Sequence, residues 1–240
     1  MAVDRRSSLK PSLAALRSIG MLARAGDDVL RALAEPCTWR RFEAGQRVLS
    51  KDARDRDVYL VISGSVRATS FSAGGREVTY RTIGAGEWFG DLAAIDGRPR
   101  SVDVIAEAEA VVATMHHADF VDLLRSHADV AEAMLRHLVH RVRDLTDRLF
   151  ELSTLGVQNR VDAELLRLAR AAGVDGNVAR IDPAPSHADV ASRVSTYREQ
   201  VTRELSQLTR LGILERAGKA LVVTDVARLT RMVEAVRRAG

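Results

Sequence analysis

Between residues 118 and 153 the chain contains neither glycine nor proline. Within that stretch Leu135, Leu138, Val142, Leu145, Leu149 and Leu152 recur at spacings of 3, 4, 3, 4 and 3. This is the a/d pattern of a coiled-coil seam. Arg141, Arg143, Asp144, Asp147 and Arg148 flank the stripe and keep the other helix faces wet. A stripe this narrow is a seam rather than the broad apolar face that a helix buries in its own domain. Packing against its own domain is the alternative; the expectation is a parallel homodimer joined over residues 135–152.

The texture differs on either side of this helix. Residues 11–35 carry Leu13, Leu16, Ile19, Leu22, Val29, Leu30 and Leu33 at helical spacing. From Thr38 onward short strand-like runs follow: Arg47-Val48-Leu49, Val58 to Ile62, Val66 to Thr69, Val78 to Thr82 and Val102 to Ile105. Gly45, Gly64, Gly74-Gly75, Gly84 and Gly86 lie between them, as in an antiparallel barrel or roll. Beyond Gly156 a second helical segment runs from Gln158 to Ala172. Gly173, Gly176, Pro183 and Pro185 then read as a loop, and residues 186–240 as a compact helical tail with one hairpin. The fold class expected is α+β. The domains are a β-roll over 12–117, a dimerisation helix over 118–155 and a C-terminal domain over 156–240.

The tail begins S-H-A-D-V-A-S-R-V-S-T-Y-R-E-Q-V-T-R-E-L-S-Q-L at Ser186. Ser186 and Asp189 have the spacing to cap one short helix, and Thr196 and Glu199 a second. Only a tight turn fits between them. Val190, Ala191 and Val194 can pack against Val201, Leu205 and Leu208. Two short helices at a tight turn form the helix-turn-helix pattern. On the second helix Arg198, Glu199, Thr202 and Arg203 face away from the apolar stripe. Arginine suits guanine edges and glutamate the cytosine amino group, although any solvated helix can carry a Glu199–Arg203 pair. Ile213 to Val223 reads as a β-hairpin, which makes the motif winged, with Lys219 placed to touch phosphate. Ser186, His187, Thr196 and Tyr197, at the two helix starts, complete the candidate DNA-binding set.

A further stretch carries site chemistry: Phe89-Gly90-Asp91-Leu92-Ala93-Ala94-Ile95-Asp96-Gly97-Arg98-Pro99-Arg100-Ser101. Gly90 lets backbone approach a ligand, Asp91 can accept from a hydroxyl, and Arg100 offers a fork for phosphate with the Ser101 hydroxyl beside it. Free N–H groups at Leu92-Ala93-Ala94 would attract an anion. Taken alone, this is either a phosphate cradle or a polar loop between strands.

F-G-D-L-A-A-I-D-G-R-P-R-S resembles the phosphate-binding cassette of cyclic-nucleotide-binding domains, F-G-E-L-A-L-x-x-x-x-P-R-x-A. R-E-Q-V-T-R is similar to the recognition core R-E-T-V-G-R of the cyclic-AMP receptor protein. The order of parts from about residue 15 to 230 resembles the CRP/FNR family, that of the cyclic-AMP receptor protein and the fumarate–nitrate reduction regulator. That resemblance implies a cyclic-nucleotide-binding β-roll (jelly roll), a long dimerisation helix and a winged helix-turn-helix. The function implied is that of a homodimeric regulator that binds a double-stranded DNA operator, controlled by cyclic AMP or cyclic GMP, with RNA polymerase as a further partner. It implies that Arg100 and Ser101 meet the cyclic phosphate, and Gly90 and Asp91 the ribose, with Phe89 and Leu92 beside them. Thr146 would reach the base in the other subunit, Arg141 would pair with the acidic cassette residue, and Arg198, Glu199 and Arg203 would read bases. Three positions depart from the family pattern. Asp91 stands where glutamate is usual. Leu145 stands where an adenine-contacting threonine is found. Ser195 stands at a turn position that favours positive φ and is often glycine.

Composition narrows the remaining classes. A net charge of +4 and a pI near 9.7 suit a nucleic-acid partner without proving one. No run of about 18 apolar residues occurs, and Met1 to Lys10 lack the apolar stretch of a signal peptide. The single Cys37 forms no intrachain disulfide and no iron–sulfur ligand set, so a cytoplasmic location is expected. Paired catalytic carboxylates and a nucleophile elbow are lacking. His137 and His140 share a helix face without a third ligand, and His116-His117 reads as surface. The expectation is therefore no enzyme, no catalytic cofactor, no metal and no membrane partner. The competing reading keeps the DNA reader and replaces the cyclic nucleotide by another ligand or by none.

Overall fold

The computed structural model describes residues 12–239. The signal-peptide reading of Met1 to Lys10 lies outside them. The chain forms two compact units that divide between Arg141 and Val142, and each is described by itself.

The first unit opens with α1 (Leu13–Arg17) and α2 (Asp27–Ala34). The helix expected over 11–35 is therefore broken. A single 3₁₀ turn runs over Gly20–Leu22, and Gly26 sits in extended backbone as the cap of α2. Leu16, Ile19, Leu22 and Leu30 are nonetheless fully buried. Strands β1 (Thr38–Phe42), β2 (Arg47–Leu49), β3 (Val58–Ser63), β4 (Ser65–Phe71), β5 (Glu77–Gly84) and β6 (Trp88–Phe89) follow. Helix α3 (Asp91–Asp96) interrupts them before β7 (Asp103–Ala106) and β8 (Ala110–Met115). They pair as two four-stranded antiparallel sheets, ordered β1-β8-β3-β6 and β2-β7-β4-β5. This is the expected β-roll. The tight connection from β3 to β4 requires Gly64: its φ is +75°, and a Cβ there would lie 2.0 Å from the Glu109 carbonyl oxygen. Val61, Val66, Ile83, Val104 and Val112 fill one core, and Leu60, Trp88, Met115 and Phe120 belong to a second against the helices.

The glycine-free stretch is two helices, not one. Helix α4 (His117–Ser126) ends at His127, whose φ of −129° and ψ of 98° leave helical space. Helix α5 (Ala128–Thr154) then runs for 27 residues and crosses the division between the units. Along it Leu135, Val142, Leu145, Leu149 and Leu152 are exposed, as are Val139 and Phe150. Leu138 is the exception in the seam, half-buried against the core of the first unit.

In the second unit α6 (Val157–Ala172) leads into β9 (Val174–Asp175) and β10 (Val178–Ile181). The loop read at 173–185 thus contains two strands. After them come α7 (His187–Arg193), α8 (Arg198–Arg210), β11 (Leu214–Ala217), β12 (Ala220–Val223) and α9 (Val226–Ala239). The expected hairpin is β11 and β12. It is widened into a four-stranded antiparallel sheet, β11-β12-β10-β9, by the pairing of Ala179 with Val223. Val161, Leu165, Val190, Val201, Leu208, Ile213, Val223 and Leu229 form the core beneath. Beside that core Arg167 bridges Glu151 of α5 at 2.9 Å and Glu164 at 2.8 Å, and Arg193 of α7 reaches Glu164 at 3.5 Å.

Candidate functional site

The first candidate site gathers around the turn from β6 into α3. Gly90 takes φ +90°, and a Cβ there would lie 2.6 Å from the Asp57 carbonyl oxygen and 2.8 Å from Arg100 Nη1. Only glycine fits both the backbone and the space. Arg100 is almost wholly buried. Its Nη1 donates to the Gly90 carbonyl at 2.9 Å, and its Nη2 to the Asp57 carbonyl at 2.7 Å and to the Asp55 carboxylate. The guanidinium lies 5.5 Å from the centre of the Tyr59 ring, which stacks on Phe89 at 5.0 Å. The Tyr59 hydroxyl donates to Asp55 at 3.2 Å. Burial, followed by the Asp55 charge, pushes that phenol up to about 12.

Asp91 is buried, and its Oδ2 has no hydrogen-bond partner. Leu92 and Ser101 are exposed, so of the cassette residues Phe89, Gly90, Asp91 and Arg100 form the interior of the turn. Arg81 of β5 stands nearby, its Nη2 donating to the Trp88 carbonyl at 2.7 Å and its Nη1 3.4 Å from Glu87. Desolvation, then the charge of Arg141, lowers its guanidinium to about 10, with Glu87 and Asp91 opposing. Arg141 is thus close enough to be felt at Arg81, as is Asp91. His137 of α5 packs on Trp88 with ring centres 4.4 Å apart, and burial, then Arg81, lowers its pKa. It is a packed residue of the first unit, not the surface side chain its pairing with His140 implied. Thr146 lies exposed on α5, beyond the division between the units, with its hydroxyl turned back to the Val142 carbonyl at 2.9 Å.

The second candidate site is the pair α7 and α8. Ser186 and Asp189 make the full capping box expected of them. Thr196 and Glu199 do not: Tyr197 caps α8 without a side-chain bond, and the buried Thr196 hydroxyl pairs with Gln200 instead. The reason lies one residue earlier. Ser195 adopts φ +53°, which turns the chain so that Thr196 points inward. Arg198, Glu199, Thr202 and Arg203 are exposed on the face of α8 opposite buried Val201, Leu205 and Leu208. Tyr197 is also exposed. His187 Nδ1 lies 2.7 Å from Thr202 Oγ1, tying the two helices together across their exposed side. Burial, then Arg198 and Arg216, lowers the pKa of His187. Lys219 is exposed at the turn between β11 and β12, beside Gly218 at φ +63°.

Sequence reasoning did not single out Asp55, Asp57, Tyr59 and Arg81 around the first site, nor Arg216 beside the second. The charge of Arg216 and the aromatic character of Tyr59 were visible, but their neighbours are made only by folding. Among the described residues, no helix is long and apolar enough to cross a membrane.

Comparison with known proteins falls on both sites. Residues 39–127 match the cyclic nucleotide-binding domain family, and residues 159–232 match the Crp-like helix-turn-helix domain family. The cyclic AMP receptor protein of Thermus thermophilus is 30% identical over 190 residues, covering 79% of this chain and 85% of the relative. A CRP-like cAMP-activated global transcriptional regulator of Mycobacterium tuberculosis is 27% identical over 218 residues, covering 88% and 97%. Among solved structures, the c-di-GMP responsive regulator CLP of Xanthomonas campestris superposes with a TM-score of 0.72 at 22% identity, over 82% of this chain and 99% of that one, a likeness of fold.

Proposed function

From the premise that this chain belongs to the CRP/FNR family of transcription regulators, we propose that it acts as a homodimer whose grip on a DNA operator is set by cyclic AMP or cyclic GMP. It is a DNA-binding regulator, not an enzyme, and its β-roll is a cyclic-nucleotide-binding domain. The observation that carries the effector reading is buried Arg100 at the Gly90–Asp91 turn, beside an Asp91 oxygen without a partner. A phosphate would take the guanidinium fork and a ribose hydroxyl would satisfy Asp91. Phe89 and Leu92 would frame the turn, Ser101 would add a hydroxyl, and Arg141 would balance the acidic residue. Thr146 would reach the base from the other subunit.

The homodimer reading rests on the stripe Leu135, Val142, Leu145, Leu149 and Leu152, which is exposed among the described residues. In functional terms the modules are the β-roll with α4 packed on it, the dimerisation helix α5 (Ala128–Thr154) in place of the whole of 118–155, and the DNA reader over 156–240, with RNA polymerase as the further partner. In the reader, Arg198, Glu199, Thr202 and Arg203 would face base edges. Ser186, His187, Tyr197 and Lys219 would sit along the phosphates, whereas Thr196, expected beside them, is buried with its hydroxyl on Gln200 and supports the turn instead.

A second reading, the same regulator with a different effector or none, is favoured by one feature. The fork of Arg100 already holds the carboxylate of Asp55. Calorimetric titration with cyclic AMP and cyclic GMP decides between them. Saturable binding of either nucleotide supports the first reading. No heat with either, together with intact operator binding, supports the second.

A further inference from the structure

We propose that Asp57, His116 and His117 form a binding site for a divalent transition metal, on the flank of the first unit beside the Arg100 cradle. Asp57 directly precedes β3, while the two histidines stand where β8 turns into α4, so β3–β8 pairing brings them together. One ligand atom from each lies within 4.8 Å of the others. His117 Nδ1 is 3.8 Å from Asp57 Oδ1, and the His117 backbone N–H donates to the same oxygen at 3.2 Å. His116 caps α4, its Nδ1 accepting the Ala118 N–H at a long 3.4 Å, which places the proton of the neutral ring on Nε2; ligation through Nε2 would shift that proton to Nδ1 and release this weak cap. The imidazoles face each other with centres 4.3 Å apart and a tilt of 50°.

Bonds of about 2.0–2.2 Å to nitrogen and carboxylate oxygen require donor atoms closer together than this. Small side-chain rotations supply the difference at His116, which is exposed, and at His117 and Asp57, which are partly so. Two imidazoles and one carboxylate with open positions suit zinc, nickel or cobalt rather than magnesium or calcium, which favour all-oxygen shells. The nearby cation is Arg100, which donates to the Asp57 carbonyl and carries Asp55 as its counter-charge. Asp57 therefore belongs to two structures at once: its carbonyl holds the arginine and its carboxylate would hold the metal.

The test needs no nucleotide and stands apart from the effector reading. The tag-free full-length protein is titrated with cobalt(II), followed by visible absorption, and with zinc(II), followed by calorimetry. One saturable site per chain is expected. His117→Ala and Asp57→Asn should each weaken it roughly tenfold or more, by analogy with losses on disturbing metal shells. His140→Ala, exposed on α5, should leave it unchanged. Circular dichroism verifies that each variant is folded. The absence of saturable binding, or parental binding by a folded His116→Ala/His117→Ala double variant, overturns the proposal.

Discussion

Arg100 and Asp55, 45 residues apart in the chain, meet as an ion pair on the same nitrogen that grips the Asp57 carbonyl. The arginine is buried, whereas the carboxylate is about two-fifths exposed. Asp55 is thus an anion held by the protein at the place where an incoming phosphate would bind, and it has solvent to retreat into.

This arrangement predicts opposite effects from the two partners. Arg100→Ala should weaken nucleotide binding by roughly ten- to a hundredfold or more, because a charge-assisted pair with phosphate contributes roughly 1.5–3 kcal/mol or more. Asp55→Asn should tighten binding, since the competing carboxylate is gone. With the Asp55 carboxylate partly in solvent, its hold on Arg100 is discounted to about 1 kcal/mol, so the gain is about fivefold. Calorimetry on both variants checks the pair; weaker binding by Asp55→Asn would show that the carboxylate helps the ligand.

The seam predicts where to break the dimer. Leu138 is a poor choice, because it also packs on the core of the first unit. Leu149 is exposed and touches no core. Leu149→Asp should place a charge in the seam at a cost of several kcal/mol and leave both units folded. Sedimentation should report monomers for this variant and dimers for the parent. A parent that sediments as a monomer at micromolar concentration contradicts the seam.

In the DNA reader, Arg203→Ala should weaken the preferred operator by roughly 1–3 kcal/mol per half-site and relax one base position. Lys219→Ala should weaken all sequences alike and lower the salt slope by about 1. Fluorescence anisotropy against an operator and a scrambled duplex, at several salt concentrations, separates the two. Half-sites about 34–36 Å apart are expected for a two-fold reader.

The pH dependence of stability has a source in Asp162 of α6. It is buried, and desolvation, then the charge of Glu204, raises its carboxyl from 3.8 to about 6. The folded state therefore holds a proton that the unfolded chain has released, and stability falls as pH rises from about 4 through 6. Asp162→Asn should remove that decline and stabilise the protein at pH 7 by up to about 3 kcal/mol. Denaturant unfolding at pH 4.5 and 7, taken as rough bounds of this window, measures it; an unchanged pH profile would exclude Asp162 as its origin.

The parts legible in the sequence are those whose signals are local. Gly90 and Arg100 sit in one short stretch, and Ser186 and Asp189 satisfy each other within one helical turn. The partners of Arg100 were not legible, because Asp55, Asp57 and Tyr59 lie more than 40 residues earlier and reach the turn only through the pairing of β3 with β6. The break at His127 carries no glycine or proline to announce it. Strand β10 was hidden by the turn formers on either side, Gly176 and Pro183. Its pairing to β12 on one side and β9 on the other makes Val178–Ile181 a strand. Thr196 failed as a cap because Ser195 spends its unusual backbone turn just before it.

The charges of Glu151, Glu164, Arg167 and Arg193 join the last turns of α5 to α6 and to α7. Here ion pairs add to the apolar packing of α6 on α7, and both glutamates are almost fully enclosed. Removing Arg167 takes a partner from both enclosed glutamates at once, which makes it the costliest single loss of this group. The last turns of the seam helix and the helix preceding the reading helix α8 thus share one chain of ion pairs through α6, which ties the course of α7 to that of α5 within this unit.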